Sequence, residues 1–269
     1  MKYLTLLIMC VLILSGCDSK KKEFNPHTND GVESAVDTID ARITLEPTKS
    51  NVESATPTCY VERVDTNGLI VLFPNYSRID LVCGVMPQKN DESVVLFAEA
   101  AYTGECLTDL KHFNIAGDHV SNGVKYQGYK CKRNTGAFAY YEDTGNWRFC
   151  YQNYAAELDS AAAHHGAAFT QEMMIHKGEF IPIKRPDGNV NVFRALCEVD
   201  GRLCIIESET SVRFGDFKSN LRQIGVTEAL YLDMGVGWNH AWYRPTADSL
   251  VELHPKYHDY CTNWITFFK

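Results

Sequence analysis

Residues 229–240 read Ala-Leu-Tyr-Leu-Asp-Met-Gly-Val-Gly-Trp-Asn-His. Four strand-forming residues run into Asp233, which opens a turn holding Gly235, Gly237, Asn239 and His240. A carboxylate at the carboxyl end of a buried strand is held rigidly by its sheet, and bare glycine backbone lets a ligand come close. The same residues would also serve a plain turn in which Asp233 is only the cap. The chemistry within reach is that of a carboxylate beside a polarised carbon. Asn239 is available to bind, and His240 to act as a general acid or to hold an anion.

Strand signals dominate the elements that must position this turn. Segments 59–64 and 69–73 flank Asp65-Thr-Asn-Gly68, and segments 136–141 and 147–151 flank Glu142-Asp-Thr-Gly-Asn146, so both pairs read as hairpins. Segment 79–85 is a further strand, and 93–98, nearly all apolar, is predicted to be a central one. Residues 111–128 are polar and dotted with glycine, and they read as a long loop carrying Asp118 and His119. Two helices are expected. One covers 154–163 and stops at Gly166; the other carries Phe214, Phe217, Leu221 and Ile224 at helical spacing and closes at Gly225. The expected class is α+β: a mixed β-sheet core with few helices in a single domain over 58–269.

The Asp233 segment resembles the Ala-x-x-Leu-Asp-Gly-Gly-Gly signature of the phosphodiester glycosidase family. Upstream, Phe193-Arg194-Ala195 leads a strand pair around Asp200-Gly201, as the family's Arg-Thr/Ala strand does. Gly166 to Gly178 parallels another family segment, with Gln171 in the place of its glutamine. The resemblance spans roughly residues 93–244 and implies hydrolysis of a sugar phosphodiester. Two departures stand out: Met234 replaces a signature glycine, and Phe97-Ala-Glu-Ala-Ala-Tyr-Thr-Gly104 lacks the family's Asn-Gly-Gly motif.

The chemistry implied is specific. Glycosidic cleavage passes through an oxocarbenium-like state flanked by carboxylates. A phosphate monoester, whose second pKa is about 6, leaves with little protonation help, so cations on the phosphate matter more than a second acid. The resemblance therefore implies Asp233 at the sugar carbon. Arg194 is either a two-pronged phosphate clamp or a structural ion-pair partner, with Asp233 as one such partner. Glu99 is either a second carboxylate or a salt-bridged strand end. Asn239, Asp118, His119 and Gln171 are expected to bind substrate, with Gly235 and Gly237 giving it room. Trp238, Trp242 and Tyr243 either stack on a sugar or fill the core.

The first sixteen residues carry Lys2, an apolar run from Leu4 to Leu14, and Leu14-Ser15-Gly16-Cys17. This is a secretory signal whose end resembles a bacterial lipobox, so Cys17 is expected to be lipidated and to anchor the chain in the cell envelope. Residues 17–57 are too poor in apolar groups to offset the entropy of ordering and read as a disordered tether. Of ten cysteines, eight remain after Cys10 and Cys17. An even number in an exported chain suggests disulfides, and Cys197 faces Cys204 across an Asp200-Gly201 hairpin.

The charge balance and the missing motifs exclude several functions. The net charge of −8 becomes −9 once Lys2 leaves with the signal, and no basic stripe interleaved with aromatics follows, so nucleic acid is not an expected partner. No Cys-x-x-Cys or Gly-x-Ser-x-Gly occurs. His164-His165 point about 100° apart on a helix and cannot ligate together. No metal and no cofactor is expected. The partners expected are a glycan or sugar-phosphodiester substrate and the membrane, with the oligomeric state open. The rival reading is a non-catalytic glycan-binding envelope lipoprotein.

Overall fold

Four two-residue turns set the architecture: Asn67-Gly68, Asn122-Gly123, Lys177-Gly178 and Asp200-Gly201, with both residues of each at positive φ. That conformation matches the twist of a tight hairpin, and it fixes the closing pairs Thr66↔Leu69, Ser121↔Val124, His176↔Glu179 and Val199↔Arg202. A chain that reverses after two residues can only pair antiparallel.

In a computed structural model, residues 60–104, 111–183, 185, 188–235, 239–256 and 260–269 are described, all within the unit Val52–Lys269. The signal peptide, Cys17, the tether, Cys59, Cys106, Gly237 and Trp238 lie outside them.

A seven-stranded sheet runs in the order Val61–Thr66, Leu69–Pro74, Arg202–Ser208, Arg194–Val199, Val226–Leu232, Met173–His176, Glu179–Phe180. A five-stranded sheet is ordered Val251–Leu253, Ala241–Tyr243, Val94–Glu99, Asn263–Phe268, Arg78–Cys83. A second five-stranded sheet is ordered Val124–Tyr126, His119–Ser121, Ala167–Gln171, Gly136–Tyr141, Asn146–Tyr151. All three contribute to one apolar core that includes Leu72, Leu96, Phe138, Phe169, Leu196 and Phe267.

The expected α+β class with a mixed sheet is therefore corrected. Every ladder among the described residues is antiparallel, with one isolated parallel bridge at Ala116–Tyr129. Two α-helices of nine and ten residues accompany them. The fold is β-rich because sheet packs on sheet. Continuous apolar runs such as Val94–Glu99 are buried by other strands rather than by the crossover helices of a parallel sheet. That strand is central in its sheet, as expected.

The presumed loop at 111–128 is also corrected. It holds a 3-10 turn, His112–Asn114, and a hairpin turned by Asn122-Gly123. Phe214–Gln223 forms a helix whose Phe214, Phe217 and Leu221 pack on the seven-stranded sheet, and Gly225 at φ 84° closes it. Ala155–Ala163 forms the other, but the left-handed residue at its end is His165, not Gly166. Gly166 is required because a Cβ there would lie 1.8 Å from the Tyr140 carbonyl oxygen.

The Cys197–Cys204 register is as expected, yet both thiols are free, as are those of Cys83, Cys131 and Cys150. Two residues back from a two-residue turn, the pair exchanges backbone hydrogen bonds. The Cα atoms of such pairs sit about 5.5 Å apart, with parallel Cβ vectors. A disulfide needs Cβ atoms within about 3.5–4.5 Å.

Candidate functional site

Asp233 lies where two sheets are stitched together. Its backbone N–H donates to Ala100 O at 3.1 Å, immediately past the Val94–Glu99 strand. Gln171 braces the same joint: its Nε2 donates to Ala100 O at 3.3 Å, and its Oε1 accepts from Glu172 N at 2.9 Å. The expected substrate-binding glutamine is thus a buried brace with both ends occupied.

The Asp233 carboxyl is 8% exposed and accepts the Gly235 N–H at 3.4 Å. Burial pushes its pKa up to about 7 against the opposing pull of backbone N–H groups at Gly235 and Met234, the Arg133 guanidinium and the Thr103 N–H. Near neutrality this acid is about half ionised.

Glu99 is fully buried beside it. Burial, and then the charge of Asp233, hold its carboxyl well above the usual range. Its Oε1 accepts from Asn263 Nδ2 at 3.4 Å and Thr262 N at 3.5 Å. The Cys261 thiol lies against the same carboxyl, and the Arg194 guanidinium acts on that thiol too.

Arg194 has no exposed surface. Its Nε donates to Glu207 Oε2 at 2.8 Å and its Nη2 to Asn239 O at 3.0 Å, while Glu207 Oε1 meets His254 Nε2 at 2.9 Å. The partner of Arg194 is therefore Glu207, its cross-strand neighbour, and not Asp233. Three buried polar atoms of this group have no hydrogen-bond partner among the described residues: Glu99 Oε2, Arg194 Nη1 and Asn239 Oδ1. A buried polar atom left without a partner costs about 1–3 kcal/mol.

The structure thus groups Asp233, Gly235, Glu99, Arg194 and Asn239. The backbone of His240 reaches Cys261, but its ring is held between Phe97, Met86 Sδ and Glu252. Trp242 packs in the core against Phe97, and Tyr243 is buried. Asp118 is exposed and lines a surface cavity of about 350 Å³ with Lys125, Lys130 and Lys132. Tyr129, in the same wall, feels the Asp233 charge. His119 is buried against His112, outside the Asp233 group.

Sequence reasoning missed Arg133, which acts on Asp233, and Arg185, which shares its carboxylate partner. Arg133 Nη2 lies 3.4 Å from Glu172 Oε2, and its guanidinium sits 4.6 Å above the Tyr102 ring. Arg185 bonds the same Glu172 and the Tyr102 hydroxyl, and lies 4.6 Å over Tyr231 and 4.2 Å over Phe214. Two guanidiniums thus meet one carboxylate, Glu172, and one of them, Arg133, acts on Asp233. Arg185 Nε is a further buried orphan. The only sequence trace of them is local basicity, Lys130-Cys-Lys-Arg133 and Lys184-Arg185.

No protein-family model and no curated protein sequence matches the chain. Among solved structures, the zebrafish N-acetylglucosamine-1-phosphodiester alpha-N-acetylglucosaminidase catalytic domain, auto-inhibited by its pro-peptide, superposes with a TM-score of 0.52 at 14% identity. That match covers 81% of this chain and 85% of the other. A hypothetical protein from Synechocystis aligns at a TM-score of 0.45 and 11% identity, over 78% of this chain and 61% of that one. The protein shares its fold, distantly, with the catalytic domain of a phosphodiester glycosidase.

Proposed function

We propose that the protein is a hydrolase that cleaves the glycosidic bond of a sugar-1-phosphate diester in a glycan, anchored in the bacterial cell envelope through lipid on Cys17. The observation that carries this reading is Asp233: a nearly buried carboxyl with a pKa of about 7, under the charge of Arg133, which shares Glu172 with Arg185. Ionised Asp233 stabilises positive charge developing at the sugar carbon, and the arginines take the leaving phosphate, which needs no proton to depart. Glu99 is fully buried, its carboxyl held up by burial and by the charge of Asp233, and it stands behind Asp233 rather than touching substrate. The exported N-terminus, Leu14-Ser15-Gly16-Cys17, is what supports the anchor.

The burial of both Glu99 and Arg194, two residues expected at the substrate, favours a second reading: a glycan-binding lipoprotein without turnover. One experiment separates them. Full chain in detergent is incubated with a panel of sugar phosphodiesters, and free sugar and phosphomonoester are quantified for wild type and Asp233→Ala. Turnover that Asp233→Ala abolishes supports the hydrolase. Saturable binding with the ligand recovered intact supports the binding protein.

A further inference from the structure

Away from Asp233, Cys83, His112 and His119 each present a ligand atom, and these atoms lie within 4.8 Å of one another. They come from three elements: the edge strand Arg78–Cys83, the 3-10 turn His112–Asn114 and the strand His119–Ser121. His112 Nδ1 and His119 Nε2 face each other at 2.9 Å. His119 Nδ1 lies 3.2 Å from Gly117 O, and a carbonyl only accepts, so the proton sits on Nδ1 and the Nε2 lone pair points at the cluster. This is how metal-binding histidines are oriented, by a carbonyl on the far ring nitrogen. His112 is held by its ring, stacked on Tyr126 at 3.5 Å and 6°.

We propose that Cys83, His112 and His119 bind one zinc-class divalent metal ion, with a water in the fourth position. Two imidazole nitrogens and a thiolate suit borderline metals such as zinc, whereas magnesium and calcium require oxygen donors. Zinc–nitrogen bonds of about 2.0–2.1 Å at a tetrahedral angle place two nitrogens about 3.3 Å apart, so the rings need to separate by only a few tenths of an ångström. The proton on His112 Nδ1 moves to Nε2, and the Cys83 thiol releases its proton to solvent. The ion would clip the edge strand of one five-stranded sheet to a strand of the other. The spacing, Cys83 then twenty-eight residues to His112 and six more to His119, matches no metal-binding motif.

The test titrates Co2+ into reduced, metal-free full chain. One equivalent should bind with a thiolate-to-cobalt charge-transfer band and the intense visible bands of a four-coordinate ion, and Zn2+ should displace it. Cys83→Ser should lose the charge-transfer band, His112→Ala should lose tight binding, and Cys150→Ser should keep both. Absence of the band in wild type, or its survival in Cys83→Ser, overturns the site. Should Cys83→Ser fail to fold by circular dichroism, alkylation of the wild type decides. Zinc should protect Cys83 from iodoacetamide, as read by mass spectrometry, and equal labelling with and without zinc overturns it.

Discussion

Replacing Asp233 by Asn should stabilise the protein at alkaline pH and leave it nearly unchanged in acid. In the folded chain burial raises the Asp233 pKa from 3.8 to about 7. A group with a raised pKa contributes stability that is fully present below its unfolded value, near pH 3.8, and is lost as pH rises through about 7. At about 1.36 kcal/mol per pH unit that gap amounts to roughly 4 kcal/mol by pH 8, and to about 2 kcal/mol at pH 5.5. Asparagine mimics the neutral acid, and its Oδ1 can still accept the Gly235 N–H. The variant therefore escapes the loss. Removing the Asp233 charge also eases its pressure on Glu99, which acts in the same direction. Urea unfolding of both proteins at pH 4, 5.5, 7 and 8, with equal m-values, reads the difference directly. A stability difference that stays flat with pH, or that turns against the variant as pH rises, refutes the buried-acid assignment.

Arg133→Ala and Arg185→Ala should each lower turnover about 10- to 150-fold, the worth of one charge-assisted hydrogen bond, as measured by phosphomonoester release. Arg133→Ala should also move the acidic limb of the pH–rate profile upward, because Arg133 holds the Asp233 pKa down. Arg194→Met should cost up to about 3–5 kcal/mol in denaturant unfolding by leaving the buried Glu207 with only His254 as partner, while Arg194→Met/Glu207→Leu should recover most of it. Cys197 and Cys204, both buried, should react with a thiol reagent only after denaturation, and reduction should leave the melting temperature unchanged.

Much of the β architecture was legible in the chain. The Asn67-Gly68 and Asp200-Gly201 turns, the apolar Val94–Glu99 strand and the Phe214–Gln223 helix follow from local φ preferences and from hydrophobic spacing, which depend on a few adjacent residues. The strand Val226–Leu232 that runs into Asp233 was legible for the same reason. The Asn122-Gly123 hairpin carried the same turn signal, but its strands are only three residues long, too short for alternation to stand out.

Tertiary structure alone decided what each charged group faces. Whether Arg194 meets a ligand or Glu207 depends on the register between two strands and on which face the side chain takes. The convergence of Arg133 and Arg185 on Glu172, with Arg133 acting on Asp233 from a hundred residues away in the chain, depends on loops whose sequence signals no more than local basicity. The Asp233 pKa near 7 is likewise a tertiary property. It arises because the ends of two sheets meet at Ala100 and exclude water from a carboxyl that a sequence would place near 4.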